Sequence, residues 1–306
     1  MTAGAWLAVD WGTTNVRAWL MDGRTVSRRQ DFALGVGGLQ PGEAARQFRD
    51  TIRPAMDAVE LPAILCGMIG STLGWEVVPY LSCPVDLRAI GQRLHRVGGA
   101  EPPAWIVPGL KAQRPDGGPD VMRGEETQLA GWAAADPSRL VGEHLVCLPG
   151  THSKWVRVAD GRIESFVTAM TGELFGLLRT HSVLRSAGPV TDDETAFERG
   201  LQAAGDGNAL ASRLFTARSQ VVGGDMASDQ VESYLSGILI GAEAAAVPEL
   251  FAVRSGCRMS IVGETHLVNR YRRALTGRGF TVDAYEGGEA ALAGLTALMS
   301  YHEAAP

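Results

Sequence analysis

WLAVDWGTTNVRAWLMDGR, residues 6–24, reads as a strand, a short polar turn and a second strand. Leu7 and Val9 lie among apolar neighbours, and the run ends on one acid, Asp10. Gly12, Thr13, Thr14 and Asn15 follow, all small or polar. Alternation then resumes, with Val16, Ala18 and Leu20 on one face and Arg17, Trp19 and Met21 on the other, until Asp22-Gly23 turns the chain back. A dinucleotide site would pass from its loop into a helix, whereas this loop passes into a strand. Backbone N–H groups and Thr hydroxyls in such a turn suit an anionic oxygen. Asp10 at the strand end suits Mg²⁺ held through water, because that ion keeps much of its hydration shell. From this stretch alone, an ordinary hairpin with a polar tip would read the same way.

A second copy changes that. LVCLPGTHSKWVRVADGR, residues 145–162, matches Gly12-Thr13 with Gly150-Thr151 and Asp22-Gly23-Arg24 with Asp160-Gly161-Arg162, at one constant spacing and with no gap. Val156 and Val158 fall on the face of Ala18 and Leu20. Similarity at so long a period predicts two related domains rather than a solenoid. Two phosphate-sized loops facing each other across a cleft would make a nucleotide site, the second built from Gly150, Thr151, His152, Ser153 and Lys154. Asp10 is matched by Leu148, so the metal-holding acid occurs once. Lys154, or Arg17 on the first hairpin, is the cation to neutralise phosphate charge. His152-Ser153 is not a hydrolase pair: adjacent residues on a turn do not form nucleophile and base, and no G-x-S-x-G elbow is present.

Composition supports a globular reading. The 306 residues give room for two ordinary domains, each with its own core. A net charge of −6 argues against a phosphate-backbone binder, so no nucleic-acid partner is expected and any anion site must be local. The cysteines, Cys66, Cys83, Cys147 and Cys257, are scattered, with no CxxC or Cys/His cluster. Neither a zinc site nor a disulfide framework follows, which suits a cytoplasmic protein. No leader-like or membrane-spanning run is visible.

Along the chain, residues 43–59 carry a helical stripe interrupted by Pro54, and 61–69 read as a central strand opening into a loop with Ser71, Trp75 and Glu76. In open α/β sheets ligands gather at such strand ends. Trp75 and Glu76 could offer an aromatic wall and a hydroxyl acceptor, or be a core Trp beside a solvated Glu. Residues 86–98 read as an Arg-rich helix and 105–107 as a strand. Arg123-Gly124-Glu125-Glu126-Thr127-Gln128 then opens a helix. Two carboxylates at a helix start are placed for a general base, since the helix N-terminus favours the charged form; they are also what any stable first turn uses. Thr171 and Glu173 open a helix to 184, Thr171 as a capping residue and Glu173 as a capping residue or a substrate contact, and helices are expected at 194–204, 207–218 and 228–247. Strands at 258–262 and 280–285 follow, with Gly263 turning into a helix from 266 and a last helix from Gly287.

DWGTTNVRAWL, CGMIGSTLGW, PYLSCP, RGEETQLAG, LPGTHSKW, MTGELF and the VGETHL segment, which together span most of the chain, resemble the 2-dehydro-3-deoxygalactonokinases of the sugar kinase, hsp70 and actin superfamily. The resemblance implies an α/β chain of two related ribonuclease-H-like domains with an interdomain cleft. Residues 1–135 would hold the first phosphate loop, sugar-acid site and base. Residues 136–306 would hold the second loop and adenosine site, with the last helix packing at the interface. It implies ATP and Mg²⁺ as cofactors, a small sugar acid as partner, no membrane partner, and room for a homodimer. In the related glycerol and xylulose kinases an Asp after one or two glycines, just ahead of the second loop, deprotonates the sugar hydroxyl. Gly124-Glu125-Glu126 has that order but offers two Glu, of which Glu125 directly follows the glycine. Gly263 resembles the small residue on which the purine lies, and Ser71, Trp75, Glu76 and Arg123 would line the sugar site. The reading is a kinase acting on the C6 hydroxyl of 2-dehydro-3-deoxy-D-galactonate. Its rivals are a superfamily phosphatase or ATPase using water as nucleophile, and a non-catalytic ATP sensor.

Overall fold

A computed structural model describes residues 4–186, 188–253 and 258–305; Cys257 lies outside them. In the first sheet, β1 (Ala5–Trp11) and β2 (Val16–Asp22) form the expected hairpin, with Asp10 opposite Arg17 and Trp11 opposite Val16. β3 (Thr25–Phe32) returns antiparallel to β2 after a turn in which Gly23 takes a φ of +57°, open to glycine without strain. β4 (Ala63–Gly67) and β5 (Ala104–Ile106) continue parallel to β1, giving the order β3-β2-β1-β4-β5 with a short strand at 95–96 on the edge. β4 is buried along its whole length, as its unbroken apolar run requires of a central strand. Val9, Trp11, Leu65 and Ile106 join Phe48 and Ile52 from the segment after β3 in one core.

The second sheet repeats this order. β6 (Glu143–Leu148), β7 (Ser153–Ala159) and β8 (Arg162–Ala169) follow one another as β1 to β3 do. β9 (Arg258–Gly263) lies parallel to β6 and β10 (Thr281–Glu286) lies beyond it, so the strands run β8-β7-β6-β9-β10, with the short strand Val85–Asp86 antiparallel outside β8. Asp160 and Gly161 both have positive φ, the two-residue turn that an Asp-Gly pair favours. The duplication read from two hairpins therefore extends to whole sheets.

Compact packing divides the chain into residues 1–143, 158–166 and 285–306 on one side and 144–157 and 167–284 on the other. That is not one break after residue 135. In the first unit the last helix, Gly287–Glu303, packs along the helix Glu125–Ala135. Their backbones touch: a Cβ on Gly131 would collide with the Ala290 carbonyl, and one on Gly294 with the Thr127 carbonyl. In the second unit the helix Val231–Leu250 crosses Glu194–Ala204 just as closely at Gly237 and Gly200. Several expected helices differ: the stripe at 43–59 is helical only to Ala55, and the helix from Thr171 ends at His181. Residues 86–98 hold a helix only over Leu87–Gly91, capped by Asp86, and the chain then forms the short strand at 95–96 on the edge of the first sheet. Residues 207–218 split into Leu210–Leu214 and Thr216–Gly223.

Candidate active site

The loop after β1 is held from its carbonyl side. The carbonyls of Gly12, Thr13, Thr14 and Asn15 accept from the N–H groups of Val36, Gly37, Gly35 and Gly12 at 2.9–3.1 Å. Gly35 presses so closely on Thr13 and Thr14 that a Cβ there would overlap their backbone. With its carbonyls engaged, the loop presents the exposed Thr13, Thr14 and Asn15 outward, the arrangement an anion needs. The supporting stretch Gly35-Val36-Gly37-Gly38 was not singled out in the sequence, although its glycine density was the available signal.

Asp10 ends β1 beside this loop. Its Oδ2 accepts from Arg17 Nη2 at 2.7 Å, so Arg17 is paired with the acid rather than standing as a separate cation. Gly67 closes β4 next to it with a φ of +87°; a Cβ there would lie 3.3 Å from Asp10 Oδ1 and 2.6 Å from the Trp11 carbonyl. Gly124, with a φ of +112°, rests on Gly67, its own Cβ position 3.4 Å from Gly67 Cα. Three glycine-permitted contacts thus bring the Arg123–Gln128 turn to the strand ends where Asp10 sits. Among the described residues no group of three or more His, Cys, Asp or Glu could cage a metal. One carboxylate, 15 % exposed, fits Mg²⁺ held through water and not an inner-sphere protein site.

The two glutamates at the start of the helix Glu125–Ala135 differ sharply. Glu125 is half-buried, and its Oε2 accepts from the Arg123 N–H at 3.1 Å. Glu126 is fully buried; its Oε2 accepts from the Gly124 N–H at 2.6 Å and its Oε1 from the Thr127 hydroxyl at 3.0 Å. Burial, then the neighbouring Glu125 charge, pushes the Glu126 carboxyl up to about 8, so it keeps its proton at neutral pH. A carboxyl whose folded pKa exceeds its unfolded value gives stability that is full below the ordinary carboxylate range and is lost as pH rises toward about 8. Glu126→Gln is therefore expected to flatten the fall in stability between pH 5 and pH 8, a change on the order of a few kcal/mol. Urea titrations across that range check it, and parallel curves for the two proteins would refute it. Glu243, also raised by burial, slopes the same way in both, so the difference isolates Glu126.

Arg123 is buried, its Nη2 donating to the Val78 carbonyl at 2.6 Å and its guanidinium 4.5 Å from the Tyr80 ring centre. A Cβ on Gly70 would lie 2.7 Å from its Nη1. Its Nε and Nη1 are buried with no hydrogen-bond partner among the described residues. The other expected sugar contacts are engaged locally. Ser71 Oγ donates to the Met68 carbonyl at 2.7 Å, Trp75 packs on Phe48 at 5.3 Å between ring centres, and Glu76 accepts from the Gly98 N–H at 3.2 Å beside His95.

In the second unit, Gly150, Thr151 and His152 stand at the turn between β6 and β7, while Ser153 and Lys154 turn inward and are buried. Lys154 Nζ donates to the His152 carbonyl at 3.2 Å. The helix Thr171–His181 lands on this loop. Glu173 N–H donates to the Thr151 carbonyl at 2.9 Å, Gly172 leaves no room for a Cβ above the Gly150 carbonyl, and the Glu173 carboxylate pairs with His152. Thr171 does not cap that helix; Met170 stands at the cap position, and the Thr171 hydroxyl bonds Glu243 instead. A mostly apolar cavity of about 320 Å³ lies alongside, lined among others by Gly150, Gly172, Phe175, Leu239, Leu267 and Tyr271. Gly263 is not in its wall: the absence of a side chain there lets β9 close on Pro149, whose Cγ would be 3.1 Å from a Cβ. His266 and Leu267, one turn on, line the cavity.

Behind the loop lies a group that sequence reading passed over. Glu243, buried midway along the helix Val231–Leu250, accepts from Trp155 Nε1 at 2.6 Å and from the Tyr271 hydroxyl at 2.7 Å. Burial raises its carboxyl pKa, and the hydroxyls of Thr171, Tyr271 and Ser153 with the Trp155 indole pull it back. A lone acid inside LSGILIGAEAAAV was the signal.

Two sheets of the same strand order, each opening its hairpin with a small, hydroxyl-rich loop, define the sugar kinase, hsp70 and actin class of fold. The chain belongs to the 2-keto-3-deoxy-galactonokinase family, whose model matches residues 10–298. It is 37 % identical over 299 residues to the 2-dehydro-3-deoxygalactonokinase of Escherichia coli (strain K12), covering 97 % of this chain and 98 % of that one. A protein of Rhizobium meliloti (strain 1021) named as a probable 2-dehydro-3-deoxygalactonokinase is 40 % identical, with 97 % of each covered. A crystal structure of a Sinorhizobium meliloti protein carrying the same name provisionally superposes with a TM-score of 0.84 at 36 % identity, over 96 % of this chain and 97 % of that one. The chain is thus a kinase of an alcohol group, and among its described residues no helix is long and apolar enough to cross a membrane.

Proposed function

We propose that this chain transfers the γ-phosphoryl group of ATP to the C6 hydroxyl of 2-dehydro-3-deoxy-D-galactonate in the cytoplasm, as a step of D-galactonate catabolism. The observation that carries this reading is family membership over residues 10–298. The C6 oxygen attacks the γ-phosphorus, the bond to the β–γ bridging oxygen breaks, ADP leaves, and the C6 proton passes to a carboxylate. Glu125 is that carboxylate, because it is half-exposed, whereas Glu126 is fully buried and already protonated. Gly12, Thr13, Thr14 and Asn15 receive phosphate oxygens, as do Gly150, Thr151 and His152. The apolar cavity beside Gly150 takes the base of the nucleotide, with Gly263 keeping the strand end close behind it. Mg²⁺, when bound, neutralises phosphate charge, and Asp10 is the residue to orient its waters.

Arg123 holds the carboxylate of the sugar acid. A buried guanidinium with two unpartnered nitrogens and no paired carboxylate among the described residues is costly unless an anion completes it. The test is ADP release from Mg-ATP with the galacto and gluco epimers of the 2-keto-3-deoxy acid and with the C1 amide of the galacto compound. The expected result is turnover of the galacto acid, phosphate on C6 by NMR, and a much weaker reaction with the amide. ADP release that needs no acceptor would make the protein an ATPase, and equal turnover of acid and amide would remove Arg123 from its role.

A further inference from the structure

We propose that Glu243 is a positioning residue for the nucleotide, fixing the second phosphate loop from behind. The inference rests on the nucleotide reading of that loop and adds a residue outside it.

Glu243 joins separate pieces of the second unit. Trp155 is on β7, two residues after Ser153 at the loop's end. Tyr271 comes from the helix Thr265–Thr276, and its hydroxyl also meets Ser153 Oγ at 2.8 Å. Thr171 opens the helix that lands on Gly150 and Thr151. Gly150, Thr171, Gly172 and Tyr271 all line the apolar cavity. One carboxylate therefore sets the hairpin, the helix start over the loop and one cavity wall at once. Trp155 and Tyr271 donate to it, Thr171 adds a third hydroxyl and Ser153 backs the Tyr271 hydroxyl, and a satisfied buried network holds a single geometry. Phosphoryl transfer depends on positioning, so the loop's register bears directly on nucleotide affinity. A carboxylate that only stabilised the domain would lower the melting temperature without separating the two substrates.

Glu243→Gln keeps the shape but sets an NH₂ group against donors. In the full-length protein it should raise the Kd for MgADP and the KM for MgATP about ten- to a hundredfold, while the KM for the sugar acid changes less than about twofold. Tyr271→Phe and Ser153→Ala, which each delete one hydroxyl, should show the same split at smaller size, and they decide the matter if Glu243→Gln does not fold. Unchanged MgADP binding in folded variants, or equal losses for both substrates, overturns the proposal. Gly150→Val separates the underlying reading, since a Cβ at Gly150 meets nothing within 4 Å and the fold should tolerate it. Lost MgADP binding in Gly150→Val with normal binding in Glu243→Gln overturns the positioning role alone. Intact binding in Gly150→Val overturns the nucleotide reading and this proposal with it.

Discussion

Glu125→Gln is expected to bind Mg-ATP and the sugar acid almost normally and to lose about 10²- to 10⁴-fold in kcat. A primary hydroxyl is a poor nucleophile at neutral pH, and a positioned carboxylate accepts its proton as the new O–P bond forms. Glu125 sits in the first turn of its helix and is only partly buried, within reach of a bound substrate. Its bond from the Arg123 N–H fixes its direction and would survive in the amide. Because the transition state of phosphoryl transfer is loose, with little proton movement, the loss should fall toward the lower end. Glu126→Gln should leave the rate nearly unchanged, since a protonated buried carboxyl and an amide differ little in charge. Single-turnover rates at saturating substrates, with binding measured separately, check both. If Glu125→Gln keeps a near-wild-type rate, this helix start serves stability only and the base lies elsewhere.

The contrast between these two neighbours shows where sequence reading stops. Gly124-Glu125-Glu126 located the turn, and alternation located both hairpins to within a residue or two, because strand period and Asp-Gly turns are local properties. Which glutamate is buried depends on Gly124 resting on Gly67, a contact between distant segments with no local signature. Arg17 shows the same limit: its charge was legible, its pairing with Asp10 was not, since that depends on hairpin register. Lys154 read as a cation for phosphate and is buried with its ammonium on the His152 carbonyl, and Trp75 sits against Phe48. Glu243 could be seen only as an acid in an apolar helix; its partners come from three other elements. The unit division escaped for a related reason, because the last helix returns to the first unit through glycine contacts at Gly131 and Gly294.

Asp10→Asn should separate turnover from stability. The change is nearly isosteric, and β1 stays paired on both sides, to β2 and to β4. The ion pair it breaks involves an Arg17 side chain 31 % exposed, so the stability cost should be about 1 kcal/mol or less. Turnover should nevertheless fall on the order of 10²-fold or more, because the carboxylate that would orient the waters of Mg²⁺ at the phosphates is removed. Arg17 sharpens the test. Freed from its carboxylate, its guanidinium becomes available to the phosphates, so the variant should bind MgADP at least as tightly as the wild type while turning over far more slowly. Tight nucleotide binding with a collapsed kcat would place the role of Asp10 in the transition state. Near-normal kcat at saturating Mg-ATP would remove Asp10 from the mechanism, and a melting temperature that falls in step with activity would make it a structural acid of the hairpin.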